Sequence, residues 1–510
     1  MPTATPSHIV RCICVTAALI LAACSKPSGT ADHPAANKPA PMTMKALVAA
    51  TAGQFQPVPL PDPKIPGYQF PESEDTIIGW TKSNNQKAMN LHAWGIWTAL
   101  TQISDQTFDG QKLRTFETWY DPSDLMSTGV GPAAVPTKIR QPRRLQVPRQ
   151  FEHGGVRSLA ATAGVHGDQT ILAFVKYDPS GSDHILKNNL FSAAQLTTLL
   201  NTDHKASVPD FPTTSVSLKP VFETLPASKL VNGRYFQLSS WPGPPPLVFN
   251  QSDQLWHSKP FPQSAWGQCI WIDIQDAGRK PGTMVDKTCA ANGSSRTDGN
   301  TYGVDQFIHF QLTKADADLA NAEAKKLQPA AAAVAAGDYA VLVAMHVTSR
   351  EITRWTWQTF WWTYDPQKPA APSSPAIAAD RPPQLMGAAR NYAHCVAYEE
   401  VSPPQPASGG SNTGESVYCY NPYLEAPFSP AILSDSQPGM TKRNGQSVKT
   451  ANDVGVQTNC MSCHEQANYN PNNVATAPNY TGDRYVDLTG PAFQGVLKVD
   501  FLWSIPGNAN

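Results

Sequence analysis

Apolar and polar positions alternate along this chain with two different periods. In segment 84–102, apolar residues fall at Met89, Leu91, Ala93, Trp94, Ile96, Trp97 and Leu100, the spacing of a helix buried on more than one face. A second helix is expected after Gly181, with Ser182 as N-cap, Asp183 in the first turn and an apolar pattern from Ile185 to about Leu200. Segment 313–328 is Ala-rich and charged, which predicts a surface helix of high propensity. Stretches rich in β-branched and aromatic residues predict strands at 170–177, 234–240, 269–275, 306–312 and 339–347. Trp355, Trp357 and Trp361 fit a further strand with one face in a core. The tail 485–504 alternates more like strand than helix. The pattern predicts an α+β fold with more strand than helix.

One octapeptide recurs. Thr115-Phe116-Glu117-Thr118-Trp119-Tyr120-Asp121-Pro122 shares T-F-x-x-x-Y-D-P with Thr359-Phe360-Trp361-Trp362-Thr363-Tyr364-Asp365-Pro366, and Lys176-Tyr177-Asp178-Pro179 is a shorter echo. Two readings follow: an internal duplication of the strand-rich region, or a strand-then-turn device used more than once. The second has a simple cause, because Pro stops a ladder and Asp favours turns.

Composition places the boundaries. Proline is high, at 47 of 510 residues, against a usual level of about 5%. Much of it sits in connecting segments, and three Pro-containing stretches, 25–45, 367–384 and 402–415, read as linkers. These divide the chain into a leader at 1–23, a tether at 24–45, a large mixed region at 46–366, a Pro/Ala linker at 367–384 and a last region at 385–510. The formal net charge is −1, so no basic field argues for a nucleic-acid partner. Arg11 precedes an apolar run from Cys12 to Ala23, a signal-peptide pattern too short to span a bilayer. It ends in Leu21-Ala22-Ala23-Cys24, which resembles the bacterial lipoprotein box. That resemblance implies an acyl chain on Cys24. Ser25 and Lys26 imply sorting to the outer membrane, with the protein facing the periplasm. A tether of about twenty residues would then reach roughly 60 Å if extended. With no transmembrane helix expected, membrane attachment rests on Cys24.

Cysteine usage points to the chemistry. Cys460-Met461-Ser462-Cys463-His464 spells C-x-x-C-H, the attachment signature of c-type haem. Cys460 and Cys463 would form the two thioethers, and His464 would be the proximal iron ligand. Cys12 and Cys14 leave with the leader, and Cys24 takes the lipid. Four cysteines remain in an oxidising compartment. They fall as Cys269 with Cys289 and Cys395 with Cys419, the simplest of three pairings. A thioredoxin-like site lacks its βαβ surroundings, and a zinc site lacks a second ligand pair.

The chain resembles a group of large bacterial single-haem proteins, the cytochrome c family proteins in the loose sense. The resemblance rests on Met345-His346-Val347, the run Trp355-Thr356-Trp357-Gln358-Thr359-Phe360, and Cys460–His464. It implies one haem c and electron transfer with a redox partner protein, and it implies no particular substrate. The sixth ligand is the open position, since neither Met nor His follows His464. Met440, in a Gly-Pro loop, is the nearest upstream candidate and His394 a second, with Met386, His346 and Met345 behind them. A second protein ligand suits an electron carrier; an open iron suits a haem enzyme of peroxidase or oxidase type, or a sensor. Asp273 and Asp276 could bind calcium or act as an acid–base pair, but a solvated strand end is the simpler expectation. Partner identity, oligomeric state and whether the protein is an enzyme are not legible.

Overall fold

Apolar residues cluster on both sides of Trp94 and are buried together. In this computed structural model, which describes residues 55–127, 140–148, 171–244, 261–327, 331–411, 413–427, 440–443, 446–449, 459–472 and 485–510, they lie on helix α2 (Gln86–Thr101). Asn85 caps α2 by accepting from the Ala88 N–H. A shorter helix, α1 (Glu74–Lys82), precedes it, capped by Ser73. Gly95 of α2 lies against the Tyr68 ring, where a Cβ would come within 2.1 Å of a ring carbon; only glycine permits that approach.

Helix α2 packs on one face of a seven-stranded sheet. Its strands are β1 (Ile171–Ala173), β2 (Lys176–Tyr177), β3 (Val216–Leu225), β4 (His309–Gln311), β5 (Tyr339–Ser349), β6 (Thr356–Trp362) and β7 (Tyr392–Ala397). The order is β7-β6-β5-β3-β1, with β2 also on β3 and β4 also on β5. Every pairing in the sheet is antiparallel. A smaller sheet joins Tyr235–Ser239 to Cys269–Asp273 antiparallel, and Cys269–Asp273 to Thr301–Gly303 parallel. The fold is α+β, as the periodicity predicts, but the described residues hold more helix than strand, the reverse of the expected balance.

Several details differ from expectation for identifiable reasons. The strand expected at 170–177 is broken into β1 and β2, because the facing stretch of β3 carries Pro220. Ala173 pairs with Val221 and Lys176 with Leu218, so the gap faces a residue with no N–H to give. Pro220 is also why β3 is not evident as a strand. The helix expected from Ser182 starts earlier, as α3 (Pro179–Asn188), with Asp178 as N-cap accepting from the Ser180 and Gly181 N–H groups. It stops at Asn189, which takes φ 51°, and a separate short helix covers Ala193–Thr197. In the tail, only Leu497–Lys498 is strand.

The octapeptide copies do not share a structure. Thr115–Thr118 is a 3-10 turn, whereas Thr359–Trp362 belongs to β6. What recurs is the Asp-Pro corner. Asp121 caps Pro122–Met126 and Asp178 caps α3, each with Pro in the first helical turn, while Asp365 accepts from the Gln367 and Lys368 N–H groups. Segment 367–384 does not separate two sheets, since β7 lies beyond it and pairs with β6 before it. The leader, Cys24 and the tether lie outside the described residues. Among those described, no helix is long and apolar enough to cross a membrane.

Strand pleating gives the sheet two chemically different faces. Cross-strand partners Met345, Phe360 and His394 share the α2 face, where Trp97 stacks on Phe360. Their neighbours Lys219, His346, Thr359 and Cys395 form a row on the opposite face.

Candidate functional site

The C-x-x-C-H segment forms a single helical turn, α4 (Cys460–His464). Its entry is fixed by Asn459, which is fully buried, donates through Nδ2 to the Val417 carbonyl at 2.9 Å, and bridges to Cys419 in parallel. Cys419 is in turn joined to Cys395 of β7. The motif is therefore held to the sheet, on the face opposite α2, by a disulfide one residue removed from its start. The second pair, Cys269 with Cys289, staples the smaller sheet.

Cys460 and Cys463 are the two described cysteines outside disulfides. Burial pushes both thiols up, Cys463 to about 12. A thiol held protonated is the reverse of the activated thiolate that redox or zinc chemistry requires. His464 has the opposite sign of response: burial lowers it to about 3, with the nearby His346 and Lys219 acting in the same direction. It is a neutral imidazole. Its Nδ1–H donates to the Phe501 carbonyl at 2.8 Å, so Nε2 carries the lone pair. A backbone carbonyl on the far ring nitrogen is the arrangement that orients metal-binding histidines. Trp357 of β6 lies against the ring at 4.2 Å between centroids, and Trp503 donates to the Cys463 carbonyl.

The carbonyl that holds His464 comes from a strained turn. Asp500 and Phe501 both adopt left-handed backbone, φ 46° and 68°, at a cost of about 1–3 kcal/mol each. Arg350 holds the Asp500 carboxylate, which also accepts from the Phe211 N–H. After His464 the chain is tied again. Arg354 donates to both Glu465 and Glu400, and its other amino group reaches the carbonyls of Pro406, Ala407 and Val486. Burial, and then Glu400, raise the Glu465 carboxyl well above its ordinary value.

The other side of the motif is polar. His346 of β5 approaches Cys460, with Nδ1 3.9 Å from Sγ. Its Nε2–H donates to Glu425 at 3.0 Å, and Glu425 accepts from the Asn421 N–H through its second oxygen. Asn421 is itself pinned to Thr359 and the Phe360 carbonyl. Lys219 is the cross-strand neighbour of His346. Sequence reasoning singled out neither Lys219 nor Glu425. Nothing local marks them, because they reach the motif only through sheet register and a distant turn.

The upstream ligand candidates separate cleanly. His394 is withdrawn: it points to the α2 face, fully buried, edge-on to Trp94 at 4.3 Å, while its neighbour Cys395 faces the motif. Met345 shares that wrong face, and Met386 is 72% exposed, in extended backbone just before the 3-10 helix Gly387–Asn391. Met440 opens a hairpin strand, Met440–Arg443, rather than lying in a loop, and its side chain is outside the described atoms. Asp273 is not a solvated strand end. It is fully buried, and although burial opposes ionisation, hydrogen bonds from Arg234, Gln275 and Arg279 hold its carboxyl below the ordinary range. Cys269, Asp286 and Cys289 lie close enough to suggest a metal cluster. The sulfurs are joined as a disulfide, and Asp286 already accepts from Trp271, Ser295, Thr288 and Cys289.

Two unpaired thiols and a neutral, oriented imidazole on one helical turn are the donor set that covalent haem needs. No family model, curated protein or solved structure matches the chain.

Proposed function

We propose that this is an exported, lipid-anchored c-type cytochrome that carries one covalent haem and passes electrons to a partner protein. The observation that carries the reading is His464. Its ring is half-buried, neutral and fixed by Phe501, and it sits one residue from a thiol that is left unpaired while four other cysteines pair. Cys460 and Cys463 would hold the macrocycle and His464 the iron; bound there, the group supplies a one-electron couple. The chain's own part is to place His464, to exclude water with Trp357, Phe501 and Trp503, and to brace the far end of the turn through Arg354. Cys24 would anchor the protein to the envelope, with the redox partner reached across the periplasm.

The His346–Glu425 pair supports a second reading, a haem enzyme with an open iron, because a base hydrogen-bonded to a carboxylate beside the motif is an acid–base device. Both readings require covalent haem. The mature protein, purified from an exporting host that attaches haem c, should retain haem absorbance after denaturation and acid–acetone extraction. Cys460→Ala with Cys463→Ala should lose it. A wild-type protein of unmodified mass and no haem absorbance overturns both readings.

A further inference from the structure

His346 has a well-defined setting that thioether and proximal attachment leave unused. Its far nitrogen donates to Glu425, which leaves the other nitrogen turned toward Cys460. Glu425 cannot swing away freely, because the Asn421 N–H holds its second oxygen and Asn421 is fixed to Thr359 of the neighbouring strand. This is the carboxylate–imidazole arrangement that fixes the tautomer and raises the basicity of a metal-binding histidine. The imidazole lies 3.9 Å from the sulfur of Cys460, beside one of the groups that would hold the macrocycle. It is mounted in the interior of the sheet, between β3 and β6, where little reorganisation accompanies a change of charge. His394 and Met345 face the other way, and Met386 is in solvent.

Resting on the haem c reading, we propose that His346 is the second protein ligand of the haem iron and that Glu425 is its positioning carboxylate. The iron would then be saturated by two imidazoles, one from the motif turn and one from the sheet. That favours the electron carrier over the open-iron enzyme. Glu425 acts through His346 and touches no reacting atom, so its role should show in the potential and not in the spin state.

The test is spectroscopic and uses the intact holoprotein. Wild-type protein should be low-spin in both oxidation states and should not bind carbon monoxide. His346→Ala should become high-spin and bind carbon monoxide, and added imidazole should return it to low spin. His346→Met should stay low-spin with a raised potential. Glu425→Gln should stay low-spin with a potential shifted upward, since the imidazole loses the carboxylate that makes it a stronger donor. Met440→Ala and Lys219→Ala should leave the spectrum unchanged. Rapid, complete carbon monoxide binding by the wild type overturns the proposal without requiring any variant to fold. So does a low-spin spectrum retained in His346→Ala, or lost in Met440→Ala or Lys219→Ala. Absence of covalent haem would defeat the reading beneath it; haem present with an unchanged His346→Ala spectrum would defeat this inference alone.

Discussion

His346 and His394 are the same side chain on strands of the same sheet, in opposite surroundings. His346 is partly accessible and has both a carboxylate and the motif as neighbours. His394 is enclosed by Trp94 and Phe360, its ring nitrogens have no well-formed hydrogen bond among the described residues, and burial lowers it to about 3. A buried polar group left unpaired costs about 1–3 kcal/mol. Replacing His394 with leucine, which is close in volume and has nothing to satisfy, should therefore raise stability by about 1–2 kcal/mol. The change should appear as a higher denaturant midpoint at an unchanged slope. On the haem c reading proposed above, the reduced spectrum should be identical to wild type. Loss of low-spin character in His394→Leu would mean that the ring reaches the iron after all.

At the scale of elements, the motif turn is too short to hold its own position. Five residues of helix cannot stand alone in water, so α4 depends on Asn459 and on the Cys395–Cys419 bridge behind it. Each disulfide closes a loop of comparable length, 20 and 24 residues apart in sequence, worth about 3 kcal/mol in the chain-entropy model. Removing either pair with alanine should cost a similar amount of stability. Only loss of Cys395–Cys419 should also lower the haem-to-protein ratio, as read by pyridine haemochrome. Equal haem content in both double variants would show that the bridge does not position the turn. The contrast also explains what was readable in advance. Helix 86–101 and strand 339–349 announce themselves because their periodicity is local, as does C-x-x-C-H, where chemistry needs a fixed spacing. Strand β3 is hidden by Pro220, whose missing N–H faces a gap rather than a ladder. Lys219 and Glu425 are invisible because register and a turn 79 residues after His346 bring them in.

Across the whole molecule, Arg354 is where the sheet, the connecting loops and the motif meet. It precedes β6, and it binds Glu400 just beyond β7, Glu465 just beyond α4, and carbonyls at 406, 407 and 486. Both carboxylates are almost fully buried. Two acids around one guanidinium leave an excess of negative charge away from water, and burial with the neighbouring Glu400 raises the Glu465 carboxyl well above its ordinary value. Taking away the cation should be far worse than taking away the whole cluster. Arg354→Met should destabilise the protein by about 3–5 kcal/mol, because it strands buried carboxylates. Arg354→Met combined with Glu400→Gln and Glu465→Gln should recover a large part of that loss. Urea titrations of the three proteins at neutral pH would measure both numbers. If the triple variant is as unstable as Arg354→Met alone, the guanidinium contributes through its backbone hydrogen bonds and not through charge. The backbone at 406, 407 and 486 would then be what it holds in place.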